Sequence, residues 1–282
     1  MTKIVLKLSC TDQRGIVGAV GQCIAKQDGN ITESGQFVDP DNGRLFMRIC
    51  FRAGPHSDVE SFRAAFALVA ERYDMTWGAF DLSIKPRVLI MVSQLGHCLN
   101  DLLYRHSTGQ LPMEIVGIVS NHEAFRQRAE HEGIRFHYLP VTPANKAEQE
   151  LRLLDLVASE SVDLVILARY MQILTDELSH RLSGRMINIH HSFLPSFKGA
   201  RPYHQAHKRG VKLIGATAHY VTPELDEGPI IEQDIRRVDH TASADTMVAI
   251  GRDTECQVLA KAVKSHLEHR ILLNDDRTIV FA

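Results

Sequence analysis

Three short apolar runs, Val88 to Val92, Glu114 to Val119 and Leu164 to Ala168, are continuous rather than alternating. A strand covered on one face alternates apolar with polar residues, whereas a strand covered on both reads as an unbroken apolar run. Polar stretches with helical character lie between them, Asn121 to Gly133 and Lys146 to Ser161, the latter with Leu154 and Val157 on one stripe. Strand alternating with helix predicts a doubly wound, mostly parallel α/β sheet, whose sites sit beyond the C-terminal ends of its strands. Leu213 to Val221 and Pro229 to Ile235 read as further strands, and Ala244 to Ile271 as one long helix or a broken pair.

The residues before these runs keep a different rhythm. Lys3 to Cys10 alternates Ile4, Leu6, Leu8 and Cys10 on one face, and Gly15 to Gly29 carries Ile16, Val20 and Ile24 at helical spacing. Two β-rich stretches, Ile31 to Val38 and Arg44 to Phe51, flank the turn Asp39-Pro40-Asp41-Asn42-Gly43. Phe62, Phe66, Val69 and Tyr73 make a second helical stripe, and Met75 to Leu82 returns as a strand. The order βαββαβ predicts a ferredoxin-like sandwich, two helices on one face of an antiparallel sheet. Ser83 to Arg87, with Pro86, is the natural linker. The 282 residues suit two domains at roughly 150 residues each, divided as 1–84 and 85–282.

Charge narrows the choice of partner. With 32 Lys and Arg against 34 Asp and Glu, the net charge is -2, which disfavours broad electrostatic binding to nucleic acid. No apolar run approaches the roughly 18 to 20 residues of a membrane span, and the N-terminus turns polar too soon for a secretory signal. The five cysteines are scattered, with no C-x-x-C pair, as expected of a reduced, cytoplasmic protein. The 15 histidines raise the question of metal or catalysis.

Phosphate loops of the G-x-x-x-x-G-K-[ST] type, G-x-G-x-x-G, H-E-x-x-H and G-x-S-x-G are all absent. The chemistry-bearing types concentrate between 186 and 232. Met186 to Pro195, MINIHHSFLP, begins as a strand, so Asn188 and His190 share a face at i and i+2. An amide beside an imidazole can bind a carbonyl oxygen and stabilise the charge that develops there. In His219 to Ile231, HYVTPELDEGPII, a strand opens into an acidic loop; Asp226 there is placed to orient His190 or to take a proton from a water. His190 and His191 should point to opposite faces, with no third ligand at a usual spacing, which argues against a metal site. A polar strand end and a solvated acidic turn are the plain alternatives, so residue type and spacing stop at a small-molecule α/β enzyme with an Asn/His/Asp site.

Asn-Ile-His with Ser-x-Leu-Pro, followed some thirty residues on by Leu-Asp-Glu-Gly-Pro-Ile-Ile, closely resembles the formyltransferase fold that uses 10-formyltetrahydrofolate. Ala168 to Leu174, ARYMQIL, resembles that family's folate-side loop, and the likeness runs from Arg87 nearly to the end. The resemblance implies a formyltransferase-type sheet, Asn188, His190 and Asp226 as the catalytic trio, and no metal or other cofactor. It further implies folate contacts from Tyr170, Met171, Gln172, Ile173 and Leu174, from His219, Val221, Thr222 and Leu225, and from Lys198. Thr11 to Val17, TDQRGIV, resembles the first loop of ACT domains; that likeness implies an amino-acid effector such as glycine or methionine near Asp12, Arg14, Gly15 and Ile16, and a homo-oligomer.

An ACT-like domain ahead of this fold is the layout of formyltetrahydrofolate deformylases. His97 to Leu103 and Phe197 to Ala206 resemble segments of that family. The Gly-Ser-Asn phosphate loop of the glycinamide ribonucleotide transformylases is missing, and Gln172 stands where they carry Arg. Water is then the implied acceptor. The expected activity is hydrolysis of 10-formyltetrahydrofolate to tetrahydrofolate and formate, supplying formate to purine biosynthesis and balancing the one-carbon pool. The alternatives are a formyltransferase acting on an amine, or an inactive amino-acid and folate sensor.

Overall fold

The computed structural model describes residues 2–194 and 202–282. The chain divides into two compact units: Met1–Lys85 together with Glu268–Ala282, and Pro86–Leu267.

In the first unit the elements run β1 (Lys3–Thr11), α1 (Ile16–Lys26), β2 (Asn30–Val38), β3 (Arg44–Arg52), α2 (Val59–Arg72) and β4 (Thr76–Asp81). Their order across the sheet is β2-β3-β1-β4, with every neighbouring pair antiparallel, which is the ferredoxin-like arrangement. The alternation seen in the sequence decides which face is covered. Ile4, Leu6 and Leu8 of β1 with Met47, Ile49 and Phe51 of β3 form one core with Ile16, Val20 and Ile24 of α1 and Phe62 and Phe66 of α2. A reciprocal cap starts α2: the Ser61 amide donates to Asp58 Oδ1 at 2.8 Å and the Asp58 amide donates to Ser61 Oγ at 2.9 Å.

The second unit runs β5 (Arg87–Val92), α3 (His97–Ser107), β6 (Glu114–Ser120), α4 (Arg126–His131), β7 (Phe136–Tyr138), α5 (Lys146–Ser159), β8 (Leu164–Leu167), α6 (Asp176–Arg181), β9 (Met186–His190), α7 (Pro202–Lys208), β10 (Leu213–Tyr220), β11 (Ile230–Arg237) and α8 (Ala244–Leu267). The seven strands lie in the order β11-β10-β9-β8-β5-β6-β7. From β7 to β9 all pairs are parallel, and β10 and β11 join antiparallel. The continuous apolar runs are buried on both faces, as their composition requires: Val88, Leu89, Ile90, Ile118, Val119, Leu164 and Ile166 are all at or near zero exposure. The chain leaves β5 toward β6 and β7 and then returns to β8 on the other side. Strand order therefore reverses between β5 and β8, where such sheets open a crevice.

One boundary departs from the sequence reading. The helix starting at Ala244 ends at Leu267, and the chain closes with a hairpin of β12 (Ile271–Asn274) and β13 (Arg277–Val280). Residues 268–282 belong to the first unit, although the sequence places all of 85–282 in the second. His269, read as part of a polar helical stretch, takes φ 52° and stacks on Phe80 with centroids 3.8 Å apart. Arg48, buried in β3, donates to the His269 and Glu268 carbonyl oxygens. Asp39 accepts from Asn274 at 2.6 Å and Arg277 at 2.9 Å. Among the described residues no helix is long and apolar enough to cross a membrane.

Candidate active site

Strand register brings the first functional side chains together. Parallel pairing sets Asn188 of β9 beside Leu167, the last residue of β8, and antiparallel pairing sets it opposite His219 of β10. Asn188 Nδ2 lies 3.3 Å from His219 Nε2, and His219 Nδ1 lies 2.9 Å from the Tyr220 carbonyl oxygen. Pairing between β10 and β11 shifts between Ala218 and His219, an irregularity of the kind that re-aims a side chain. The loop after β10 then carries Asp226 back over the strand ends.

Asp226 has φ 59°, a left-handed conformation that Asp tolerates better than most residues. Its Oδ2 lies 3.2 Å from His190 Nδ1 and its Oδ1 lies 3.7 Å from His219 Nε2. Burial opposes ionisation of this carboxyl, but hydrogen bonds from His190 and His219 and their charges outweigh it. The group is held well below the usual carboxylate range. Asn188, His190, His219 and Asp226 thus form one cluster, closed around a carboxylate that stays ionised at neutral pH.

The cluster borders a cavity of about 220 Å³. Tyr170, Met171, Gln172, Ile173 and Leu174 line one side, and Val221, Thr222 and Leu225 the other. Two anchors fix the first of these loops. Ser93, just beyond β5, accepts from the Met171 amide at 2.9 Å and donates to Asn121 at 2.7 Å. At the far end, Glu150 of α5 accepts from the Thr175 amide at 3.0 Å and from its hydroxyl. Met171, Ile173 and Leu225 are exposed apolar side chains at the mouth, so the entrance offers apolar surface and the floor offers the polar cluster. Lys198 lies outside the described residues. The residues proposed for an effector belong to the first unit and are not among those that line this cavity. There Gly15 takes φ 94° at the start of α1, Asp12 and Arg14 are exposed, and the Ile16 side chain is buried in the core.

Other residues at the cavity were not singled out from the sequence. His191 follows the last residue of β9, so strand alternation has lapsed there. Its ring stacks on His190 with centroids 4.8 Å apart and 24° between planes, instead of facing away. Burial, with the charge of Arg169 and the neighbouring His190, pushes His191 down to about 4, so it is neutral at physiological pH. Arg169 also lines the cavity, and behind it stands Glu255 of α8, 1% exposed. Glu255 receives His97 Nε2 at 2.7 Å and the Tyr203 hydroxyl at 2.8 Å. The Arg169 to Glu255 approach spans 86 positions of sequence, and no local pattern announces it. The only signal was a charged residue set directly after an apolar strand.

The geometry has parallels among known proteins. Residues 86–263 match the family model described as formyl transferase. A formyltetrahydrofolate deformylase from Bacillus subtilis (strain 168) is 51% identical over 278 residues, which cover 98% of this chain and 93% of that one. A solved formyltetrahydrofolate deformylase from Burkholderia mallei superposes with a TM-score of 0.96 at 51% identity, covering 100% of both chains. A phosphoribosylglycinamide formyltransferase from Anaplasma phagocytophilum superposes with a TM-score of 0.64 at 31% identity, covering 71% of this chain and 96% of that one.

Proposed function

The chain belongs to the formyltetrahydrofolate deformylases, hydrolases that release formate from 10-formyltetrahydrofolate, and we propose that Asn188, His190 and Asp226 carry the chemistry. The observation that supports this reading is the 3.2 Å approach of His190 Nδ1 to Asp226 at the floor of the cavity, with Asn188 beside them. An ionised Asp226 holds the Nδ1–H of His190 toward itself and fixes the orientation of the ring. The Asn188 amide and His190 Nε2–H then receive the formyl oxygen as its charge grows.

Water attacks the formyl carbon, forming a C–O bond while the carbonyl pair moves to oxygen. A carboxyl held this low is a poor base toward free water. It suffices once the water oxygen bonds to carbon and its protons become strongly acidic. Asp226 takes that proton and returns it to N10 as the C–N bond breaks. The products are tetrahydrofolate and formic acid, which ionises to formate. The apolar mouth formed by Met171, Ile173 and Leu225 suits the flat folate ring system, with Tyr170, Gln172, Leu174, His219, Val221 and Thr222 completing its surroundings. Nothing in this scheme calls for a metal or other cofactor.

In this reading the enzyme acts in the cytoplasm, feeds formate to purine biosynthesis and balances the one-carbon pool. Its first unit acts as an ACT-like regulator of a homo-oligomer, sensing an amino acid such as glycine or methionine at Asp12, Arg14, Gly15 and Ile16. The deciding assay supplies purified protein with 10-formyltetrahydrofolate and no amine. Steady formate release is expected, and release only after adding glycinamide ribonucleotide would assign a transferase instead.

A further inference from the structure

Arg169 sits where β8 gives way to the folate-side loop, with φ 64°. A left-handed backbone is costly for a residue that is neither glycine nor Asn, and such strain gathers at functional positions. The side chain is 10% exposed. Its nearest carboxylate is Glu255, but both Glu255 oxygens have closer partners, His97 at 2.7 Å and Tyr203 at 2.8 Å. Arg169 Nε stands 3.5 Å from Glu255 Oε2 and is buried with no hydrogen-bond partner. Neither Nη forms a hydrogen bond among the described residues. A guanidinium is five donors in a planar fork matched to a carboxylate, and leaving buried donors unpaired is expensive. This one borders the same cavity as His190 and His191, and His191 brings no competing charge.

We propose that Arg169 forms a carboxylate subsite in the wall of the cavity, which takes the formate produced by hydrolysis. The proposal rests on the hydrolase reading, since formate is the small carboxylate which that reaction generates within reach of the guanidinium. Two N–H groups of Arg169 donate to the two formate oxygens, and Glu255 holds the fork in place through its charge. The subsite belongs to a hydrolase, because a transferase passes the formyl group to an amine and frees no carboxylate.

The test compares the full-length protein with Arg169→Met and Arg169→Lys at constant ionic strength, with chloride replacing formate in the controls. Two readouts are used: inhibition of turnover by sodium formate, and line broadening of ¹³C-formate by protein without folate. The expected result is that Arg169→Met raises the inhibitory formate concentration by about tenfold or more and abolishes the broadening. Arg169→Lys, which keeps the charge and loses the fork, should fall between. Equal inhibition and broadening in wild type and Arg169→Lys would overturn the subsite even if the Met variant failed to fold. So would inhibition by chloride matching that by formate. If the wild type released no formate from 10-formyltetrahydrofolate, the hydrolase reading would fall, while the line-broadening comparison would still decide the subsite.

Discussion

Asn188 owes its orientation to its neighbour across the strands. The Tyr220 carbonyl can only accept, so His219 Nδ1 donates to it. His219 Nε2 then faces both the Asn188 amide at 3.3 Å and Asp226 Oδ1 at 3.7 Å. In the proposed mechanism the amide held there meets the formyl oxygen. Asn188→Ala should therefore lower kcat by about 10²- to 10³-fold with an unchanged circular dichroism spectrum; activity near wild type would remove Asn188 from the mechanism. His191 makes a prediction of a different kind. Its imidazole is pushed down to about 4, while an unfolded histidine titrates near 6.5. Between those values the unfolded chain binds a proton that the folded chain refuses, so stability rises with pH across the window. The contribution is complete above about pH 6.5 and is lost as pH falls toward 4, on the order of 3 kcal/mol in all. In His191→Gln, the loss of urea-unfolding free energy between pH 7.5 and pH 5 should shrink by roughly 2 kcal/mol. An unchanged loss would mean that His191 titrates normally.

The elements that carry the site differ in how plainly the sequence announces them. Continuous apolar runs reveal β5, β6 and β8 because burial on both faces leaves no other composition open. The i, i+2 rule places Asn188 and His190 on one face for the same reason. By contrast, β7 spans only Phe136–Tyr138, and three residues carry no period. α3 carries its apolar stripe of Cys98, Leu99, Leu102 and Leu103 at helical spacing, a signal the sequence reading passes over. The approach of Asp226 to His190 depends on a left-handed turn and 35 intervening residues, and the grip of Glu255 on Arg169 on a helix much farther along. Long-range closure of this kind leaves no local trace. The cavity loop of residues 170–174 is an element whose rigidity can be tested. Its Met171 amide has the Ser93 hydroxyl as acceptor, so Ser93→Ala frees that end while leaving the cluster of Asn188, His190 and Asp226 intact. A lost hydrogen bond of about 1 kcal/mol predicts a roughly fivefold rise in KM with kcat little changed. A fall in kcat with KM constant would instead tie the loop to the chemical step.

At the scale of the whole chain, the first unit is built from both termini. A four-stranded sheet with helices on one face leaves the other face bare, yet Val5, Phe46 and Cys50, which point away from α1 and α2, are almost wholly buried. The C-terminal hairpin meets that face. Lys7 Nζ donates to the Ile271 carbonyl oxygen at 3.3 Å, and the Phe281 ring lies so close to Gly35 that a Cβ there would come within 2.7 Å of it. Arg48, 5% exposed, spends its guanidinium on the Glu268 and His269 carbonyls and on Glu33 at 3.2 Å. A buried cation stripped of its acceptors is among the costlier defects a fold can carry, roughly 3 to 5 kcal/mol. Ending the chain after Leu267 removes two of those acceptors and the apolar cover at once. The residues proposed as catalytic all lie within 86–267, so a purely local view would predict a working enzyme. The structure predicts instead a protein that melts well below the full chain and aggregates through the uncovered sheet. Differential scanning calorimetry and the soluble fraction on expression check this, with Arg48→Met in the full chain as the milder companion. Identical melting of truncated and complete protein would show that the hairpin rests on the sheet without supporting it. Screens for an effector therefore belong on the full chain, since residues 1–84 alone lack the strands that complete their own domain.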